Sequence, residues 1–285
     1  MPYVGDAAEI AARAAVSRAR PSRIKIAACA TGLVGWILFM VSVRLVAGLL
    51  RVPGADNLPM YFHRGVKRFF NLKVSHAGEL CRAAPVLYVC NHVSYLDVFV
   101  LGSVLPGSFI AKSEVAGWPV FGKLANFQNT LFFERNSRRA ADQIKVMQGR
   151  LNDHKSLIFF PEGTSTTGDI VEPFRSSLFA AADMDPPVLI QPVSVAYTEY
   201  RGKPMSQAER DYYAWYLPMT FLGHFLNALG LGAAGVQVTF HEPVTIGDFE
   251  SRKACAAHCE DAVRRGLLAG LAGQSQVVPK PGRTA

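Results

Sequence analysis

Two side chains able to move a proton stand five places apart in the stretch "CNHVSYLDV": His92 and Asp97. They follow the apolar run "VLYVC", which reads as a buried strand. Asn91 and His92 therefore emerge at a strand's carboxyl end, where open α/β sheets place their ligands. On one continuous helix, a separation of five would set the two side chains about 140° apart. They meet only if His92 sits in the turn and Asp97 in the first helical turn, with Ser94 as the N-cap. In that arrangement the carboxylate fixes the tautomer of the ring and stabilises the imidazolium that forms, while the histidine accepts a proton near neutral pH. No cysteine or serine is obviously paired with His92 as a nucleophile, so the base would activate a hydroxyl of the substrate itself. Taken alone, the stretch reads more commonly as a capped strand-to-helix turn with a solvated histidine.

A second stretch, "LIFFPEGTSTTGD" (157–169), has the same layout. An apolar strand runs into Pro161, which ends it, and Gly163 permits a turn or a close approach to a ligand. Glu162 and Thr164 add an acceptor and a hydroxyl at the sheet edge that carries His92.

The elements that must position these groups show in the alternation of the chain. Short runs rich in β-branched and aromatic residues predict strands at "LKVSHA", 86–90, 108–111, 130–133, 156–160, 188–196 and 236–241. Helical patterns fall at 95–105, 138–151, 176–183 and 251–271. Such alternation predicts an α/β fold, with a mixed, largely parallel sheet flanked by helices. Residues 211–235 are apolar and aromatic. Tyr212, Tyr213, Trp215 and Tyr216 suit a membrane interface and a covered core helix equally.

Composition sets the surroundings. The chain has 285 residues, half of them hydrophobic, and a net charge of +8, which favours anionic partners. The five cysteines form no C-x-x-C pair. Their odd number fits a reduced, cytosol-facing protein, and Cys255 with Cys259 makes a poor zinc site. Residues 26–43 carry no charge and are at the lower edge of what spans a bilayer. Arg13, Arg18, Arg20, Arg23 and Lys25 precede them; Arg44, Arg51, Arg64, Lys67 and Arg68 follow. A segment lying in one leaflet satisfies both basic flanks, ahead of a true span or a buried core helix. A cleaved signal peptide does not fit, because Arg44 intrudes before any cleavage site. The expected division is a basic and apolar membrane-anchoring segment at 1–58, a catalytic domain at 59–272 and a disordered tail at 273–285. The basic residues gather around the apolar segment without a nucleic-acid-binding motif, so no nucleic-acid partner is expected.

Together "NHVSYLD" and, about seventy residues later, "FPEGT" resemble the glycerolipid acyltransferase family, of the 1-acylglycerol-3-phosphate acyltransferase kind. Its hallmark is N-H-x-x-x-x-D followed by F-P-E-G-T-R-S, and the resemblance covers roughly residues 65–245. "TLFFERN" resembles a third block and places Arg135 at that family's phosphate-binding arginine. "LIQPVSVAY" resembles a fourth, with Pro192 on a late strand, and "FIAK", with Lys112, looks similar as well. The resemblance implies that His92 is the base and Asp97 its orienter, with Arg135, Glu162, Gly163 and Thr164 binding the acceptor. It implies direct transfer from acyl-CoA or acyl-carrier protein to a lysolipid hydroxyl at the cytoplasmic face of an inner membrane. No metal or prosthetic group is implied.

Two residues depart from that pattern. Ser165 stands where the arginine of F-P-E-G-T-R is expected, and Asn129 where the family has a glycine six places before Arg135. Arg175, in "EPFRSSLF", could replace the missing guanidinium. Chains reading F-P-E-G-T-S resemble enzymes that O-acylate lyso-ornithine lipid, an aminolipid with no phosphate. Acceptor-independent thioester hydrolysis and a non-catalytic membrane adaptor are the readings from other classes.

Overall fold

The structure is a computed structural model, and it describes residues 21–118, 120–134, 139–216 and 220–282. In chain order its first elements are α1 (Arg23–Leu49), α2 (Leu58–Phe69), β1 (Leu72–Ala77), β2 (Val86–Cys90), α3 (Leu96–Gly102) and β3 (Ser108–Lys112). Next come α4 (Phe121–Phe127), β4 (Leu131–Phe133), α5 (Ala140–Asn152), β5 (Leu157–Phe159) and β6 (Leu189–Tyr200). The chain closes with β7 (Lys203–Pro204), α6 (Phe221–Gly230), β8 (Ala234–Phe240) and α7 (Arg252–Leu271).

β2 explains the architecture. All five of its residues are buried, and they alternate between two cores: Val86, Tyr88 and Cys90 enter one, Leu87 and Val89 the other. A strand covered on both faces needs parallel neighbours and helices above and below. β5 and β6 supply the neighbours, both parallel to β2. The sheet runs β1-β8-β6-β2-β5-β3-β4, with β7 paired to β6. Only β8 and β7 run antiparallel to β6; the remaining pairs, β1 with β8 included, are parallel. The first core lies under α1, α2, α3 and α6, through Leu33, Phe62, Leu96 and Phe225. The second lies under α5 and α7, through Met147, Leu151, Cys255, Cys259 and Val263. This is the expected mixed, largely parallel sheet.

Every strand expected from the sequence forms, and four differences appear elsewhere. Residues 176–182 form a 3-10 helix, not an α-helix. α2, not expected from the sequence, begins at the boundary between the anchoring segment and the catalytic domain. Pro59 sits in its first turn, where a missing N–H leaves no bond unmade, while Phe62, His63 and Val66 face inward. In residues 211–235 the core reading prevails over the interfacial one: Tyr213 and Tyr216 are buried, Tyr212 and Trp215 half-buried, and α6 packs beneath α1. The tail expected to be disordered instead lies along the fold through residue 282. Val278 is buried, its N–H donates to His241 Nδ1 at 3.0 Å and its carbonyl accepts from Glu242 N at 3.1 Å.

Among the described residues, α1 is the one helix long and apolar enough to cross a membrane, and 11% of its most apolar window is buried. It is nevertheless fastened to the domain along its length. Lys25 Nζ donates to the Leu231 carbonyl, Trp36 Nε1 to the Phe62 carbonyl at 3.1 Å, and Arg44 Nη1 to the Ala55 carbonyl at 3.2 Å.

Candidate active site

Asn91 begins the site by extending the sheet with a side chain. Its Nδ2 donates to the Val195 carbonyl at 3.0 Å and its Oδ1 accepts from Val195 N at 2.7 Å, so the end of β2 is tied to β6 as if by one more ladder rung. The next residue, His92, is thereby held at the carboxyl edge of the sheet. Its ring stacks on Phe160 with centroids 4.0 Å apart and planes 17° from parallel. Its Nδ1 lies 3.0 Å from Asp97 Oδ2.

Asp97 is wholly buried, on the first turn of α3. Besides the imidazole, Oδ2 accepts from Val93 N at 2.6 Å and Ser94 N at 2.8 Å, while Oδ1 accepts from the Tyr197 hydroxyl at 3.0 Å. Four donors thus meet the carboxylate, three at Oδ2 and one at Oδ1. A carboxylate oxygen 3.0 Å from Nδ1 favours the tautomer with Nδ1–H. That tautomer directs the lone pair of Nε2 away from Asp97. The side chain of His92 is 20% exposed, so the ring reaches the surface without floating in it. The spacing of five places the pair as expected, with one change: the helix is capped at Tyr95, while the Ser94 hydroxyl still accepts from Leu96 N at 3.3 Å and Ser94 N donates to Asp97.

The second motif closes over the first. Glu162 is buried, with Oε1 accepting from His92 N at 2.6 Å and Oε2 from Glu172 N at 2.7 Å. Burial pushes its carboxyl up to about 8, against the opposing pull of those two N–H groups. Both oxygens are thus directed at backbone, and the side chain clamps the two turns together. Thr166 adds to the clamp, its N–H donating to the His92 carbonyl at 2.9 Å. Gly163 has φ +69, the left-handed region that a glycine enters without strain, and a Cβ there would sit 3.3 Å from the guanidinium carbon of Arg175. Arg175 therefore lies over the glycine of the motif, its backbone N–H held by the Pro161 carbonyl at 3.1 Å. Thr164 is half-buried beside it, and the Ser165 hydroxyl donates to the Trp215 carbonyl.

Of the remaining site residues expected from the sequence, Lys112 lies further out. Lys112 ends β3 with its side chain exposed, and β5 separates β3 from β2. Arg135 lies outside the described residues. Asn129, which replaces a glycine of the resemblance, has φ +60, a conformation asparagine tolerates better than most side chains. Sequence reasoning missed Tyr197 and Phe160 as partners of the pair. Phe160 was readable as the first letter of F-P-E-G-T; Tyr197 lies a hundred residues from Asp97, on another strand.

Comparison with known proteins gives one answer at three levels. The family described as Acyltransferase matches residues 71–196. A lyso-ornithine lipid O-acyltransferase of Brucella abortus is 38% identical over 224 residues, 76% of this chain and 84% of that protein. One from Rhizobium meliloti is 34% identical over 264 residues, 90% of each. Among solved structures, the 1-acyl-sn-glycerophosphate (LPA) acyltransferase PlsC of Thermotoga maritima has a TM-score of 0.55 at 21% identity, covering 82% of this chain and 93% of its own. That likeness is one of fold.

Proposed function

Because the chain belongs to the acyltransferase family and is an acyltransferase of lipid biosynthesis, we propose that its acceptor is a lyso-ornithine lipid and its base the His92–Asp97 pair. The observation that carries the mechanism is the imidazole fixed 3.0 Å from a buried, fully hydrogen-bonded carboxylate, with its outer edge at the surface. The lipid hydroxyl gives its proton to His92 Nε2 as its oxygen attacks the thioester carbonyl. The tetrahedral species collapses with loss of the thiolate, which takes the proton back from the imidazolium. One C–O bond forms, one C–S bond breaks, and the proton ends on the thiol. The step needs no metal or prosthetic group.

The lyso-ornithine acceptor is supported by the names of the relatives and by the chemistry around Gly163. Ser165 brings no positive charge where the resemblance expects one, and its hydroxyl is engaged by Trp215. Among the described residues, the guanidinium of Arg175 lies over the turn, where it suits the carboxylate that ornithine carries. Glu162 serves as a clamp of the turn in this reading, and the donor is acyl-carrier protein or acyl-CoA, both of them anionic and drawn to a chain of net charge +8. α1, fastened to the domain at Lys25 and Trp36, supports a monotopic seat on the cytoplasmic leaflet of the inner membrane over a span that leaves the domain.

The test is a rate comparison on purified enzyme with one acyl donor, read as thiol release. Lyso-ornithine lipid is expected to react at least tenfold faster than lysophosphatidate, and His92→Ala to lose on the order of 10²–10⁴ in rate with its fold intact. Preference for lysophosphatidate overturns the acceptor, acceptor-independent release makes the protein a thioesterase, and an active His92→Ala overturns the base.

A further inference from the structure

We propose that Tyr197 is a positioning residue for acyl transfer: its hydroxyl holds Asp97 rotated with Oδ2 toward His92. The inference rests on His92 being the base of the reaction. Three observations support it. The Tyr197 hydroxyl donates to Asp97 Oδ1 at 3.0 Å, and both side chains are wholly buried. Oδ1 is the oxygen that the backbone does not reach; Val93 N, Ser94 N and the imidazole all converge on Oδ2. Without the phenol, Oδ1 would be a desolvated acceptor with no donor, a cost the side chain escapes by rotating or by taking up a proton. Either escape removes the charge or the alignment that fixes Nδ1–H on His92.

The fold shows why a residue so distant in sequence does this. β6 is the longest strand, twelve residues, and its pairing with β2 ends at Cys90 opposite Val193. Val195 then takes the side-chain rung from Asn91, and Tyr197, two residues on and on the same face, arrives under the turn that bears Asp97. The phenol ring is set by stacking on Tyr213, centroids 5.7 Å apart at 24°. The titratable neighbours of Asp97 are His92 and Cys90 from β2 and its exit turn, Glu162 from the turn after β5, and Tyr197 itself. Those of Tyr197 are Tyr95 and Tyr213. Burial first, and then the charge of Asp97, raise the Tyr197 hydroxyl well above its ordinary range, so it remains a donor wherever the enzyme operates.

The experiment compares Tyr197→Phe with Tyr213→Phe, which loses a buried hydroxyl of the same stacked pair, one that donates to the Gly232 carbonyl at 3.1 Å. Tyr197→Phe is expected to lower kcat on the order of tenfold, with KM for the acceptor little changed. The acid limb of its kcat/KM profile should move by about half a unit or more, to higher pH where the carboxylate takes up a proton and to lower pH where it rotates away from the imidazolium. Tyr213→Phe should leave that limb in place. Should Tyr197→Phe fail to fold, 3-fluorotyrosine introduced at position 197 keeps the shape and donates more strongly, and the limb should move to lower pH. A limb unmoved in both variants, while His92→Ala abolishes transfer, overturns the role of Tyr197 and leaves the base intact. An active His92→Ala overturns the base, and this inference with it.

Discussion

At the scale of single residues, the site depends on side chains that spend their polar atoms on the fold. Asn91 precedes the histidine in the motif, yet its amide is buried and both of its ends are taken by Val195, one as donor and one as acceptor. No hydrogen-bonding atom of equal quality is left for a substrate. Asn91→Ala therefore leaves two buried backbone groups of β6 unpaired and should cost about 2 kcal/mol of stability. Asn91→Asp should cost more, about 3 kcal/mol or beyond, since a carboxylate keeps the acceptor but has no donor for the Val195 carbonyl. Urea midpoints of the two variants check the order, and an aspartate that is no worse than alanine would refute the rung. The sequence made the histidine and its aspartate legible, because five residues across a strand-to-helix turn carry both. The clamp made by Glu162 was not legible, because the type of a residue does not reveal that both of its oxygens face backbone N–H groups. Tyr197 was invisible for a related reason: its partner is set by the register of β6 against β2, which no local pattern contains.

At the scale of elements, the sheet was readable and the seating of the helices was not. Strands announce themselves by composition, and "VLYVC" could hardly be anything else. α2 was hidden behind Pro53, Gly54 and Pro59, which punctuate the chain whether or not a helix follows at once. What α2 does depends on a glycine. A Cβ at Gly65 would lie 2.1 Å from the Trp36 ring of α1, and that indole donates to the Phe62 carbonyl one turn earlier on α2. The two helices touch backbone to ring there. Gly65→Ala should force the indole out of its place, at a cost of about 1–3 kcal/mol, even though alanine is the better helix former by nearly 1 kcal/mol. The sign decides the matter. A stabilised Gly65→Ala, read by thermal unfolding, would mean that α1 does not rest on α2 in solution, and the seat of α1 on the domain would then be wrong. The tail is the opposite case. Its polar, proline-containing sequence reads as loose chain, and it is nonetheless held because Val278 caps a buried histidine.

At the scale of the whole molecule, that histidine is one of three that burial keeps uncharged. His63 of α2 and His241 after β8 are pushed down to about 3, and His224 of α6 to about 4, each chiefly by loss of water. They sit on separate elements, so no local opening accommodates all three. Their folded values lie below the unfolded value of 6.5, so the unfolded chain binds more protons as pH falls beneath it, and stability is lost in that direction. Glu162 acts with the opposite sign. Its folded value of about 8 exceeds the unfolded 4.5, so across that window folding takes up a proton and stability grows as pH falls. Three groups against one leave two uncompensated, a slope of about 3 kcal/mol per pH unit between roughly pH 6 and pH 5. Against a total stability of about 5–15 kcal/mol, a loss of about 3 kcal/mol over that unit is a measurable share of the whole. Denaturation at pH 7, 6 and 5 should show the fall, and His241→Gln should reduce its slope by about 1.4 kcal/mol per pH unit. A stability that stays level from pH 7 to pH 5 would mean that water reaches these rings, and the closed cores on both faces of the sheet would have to be opened to let it in.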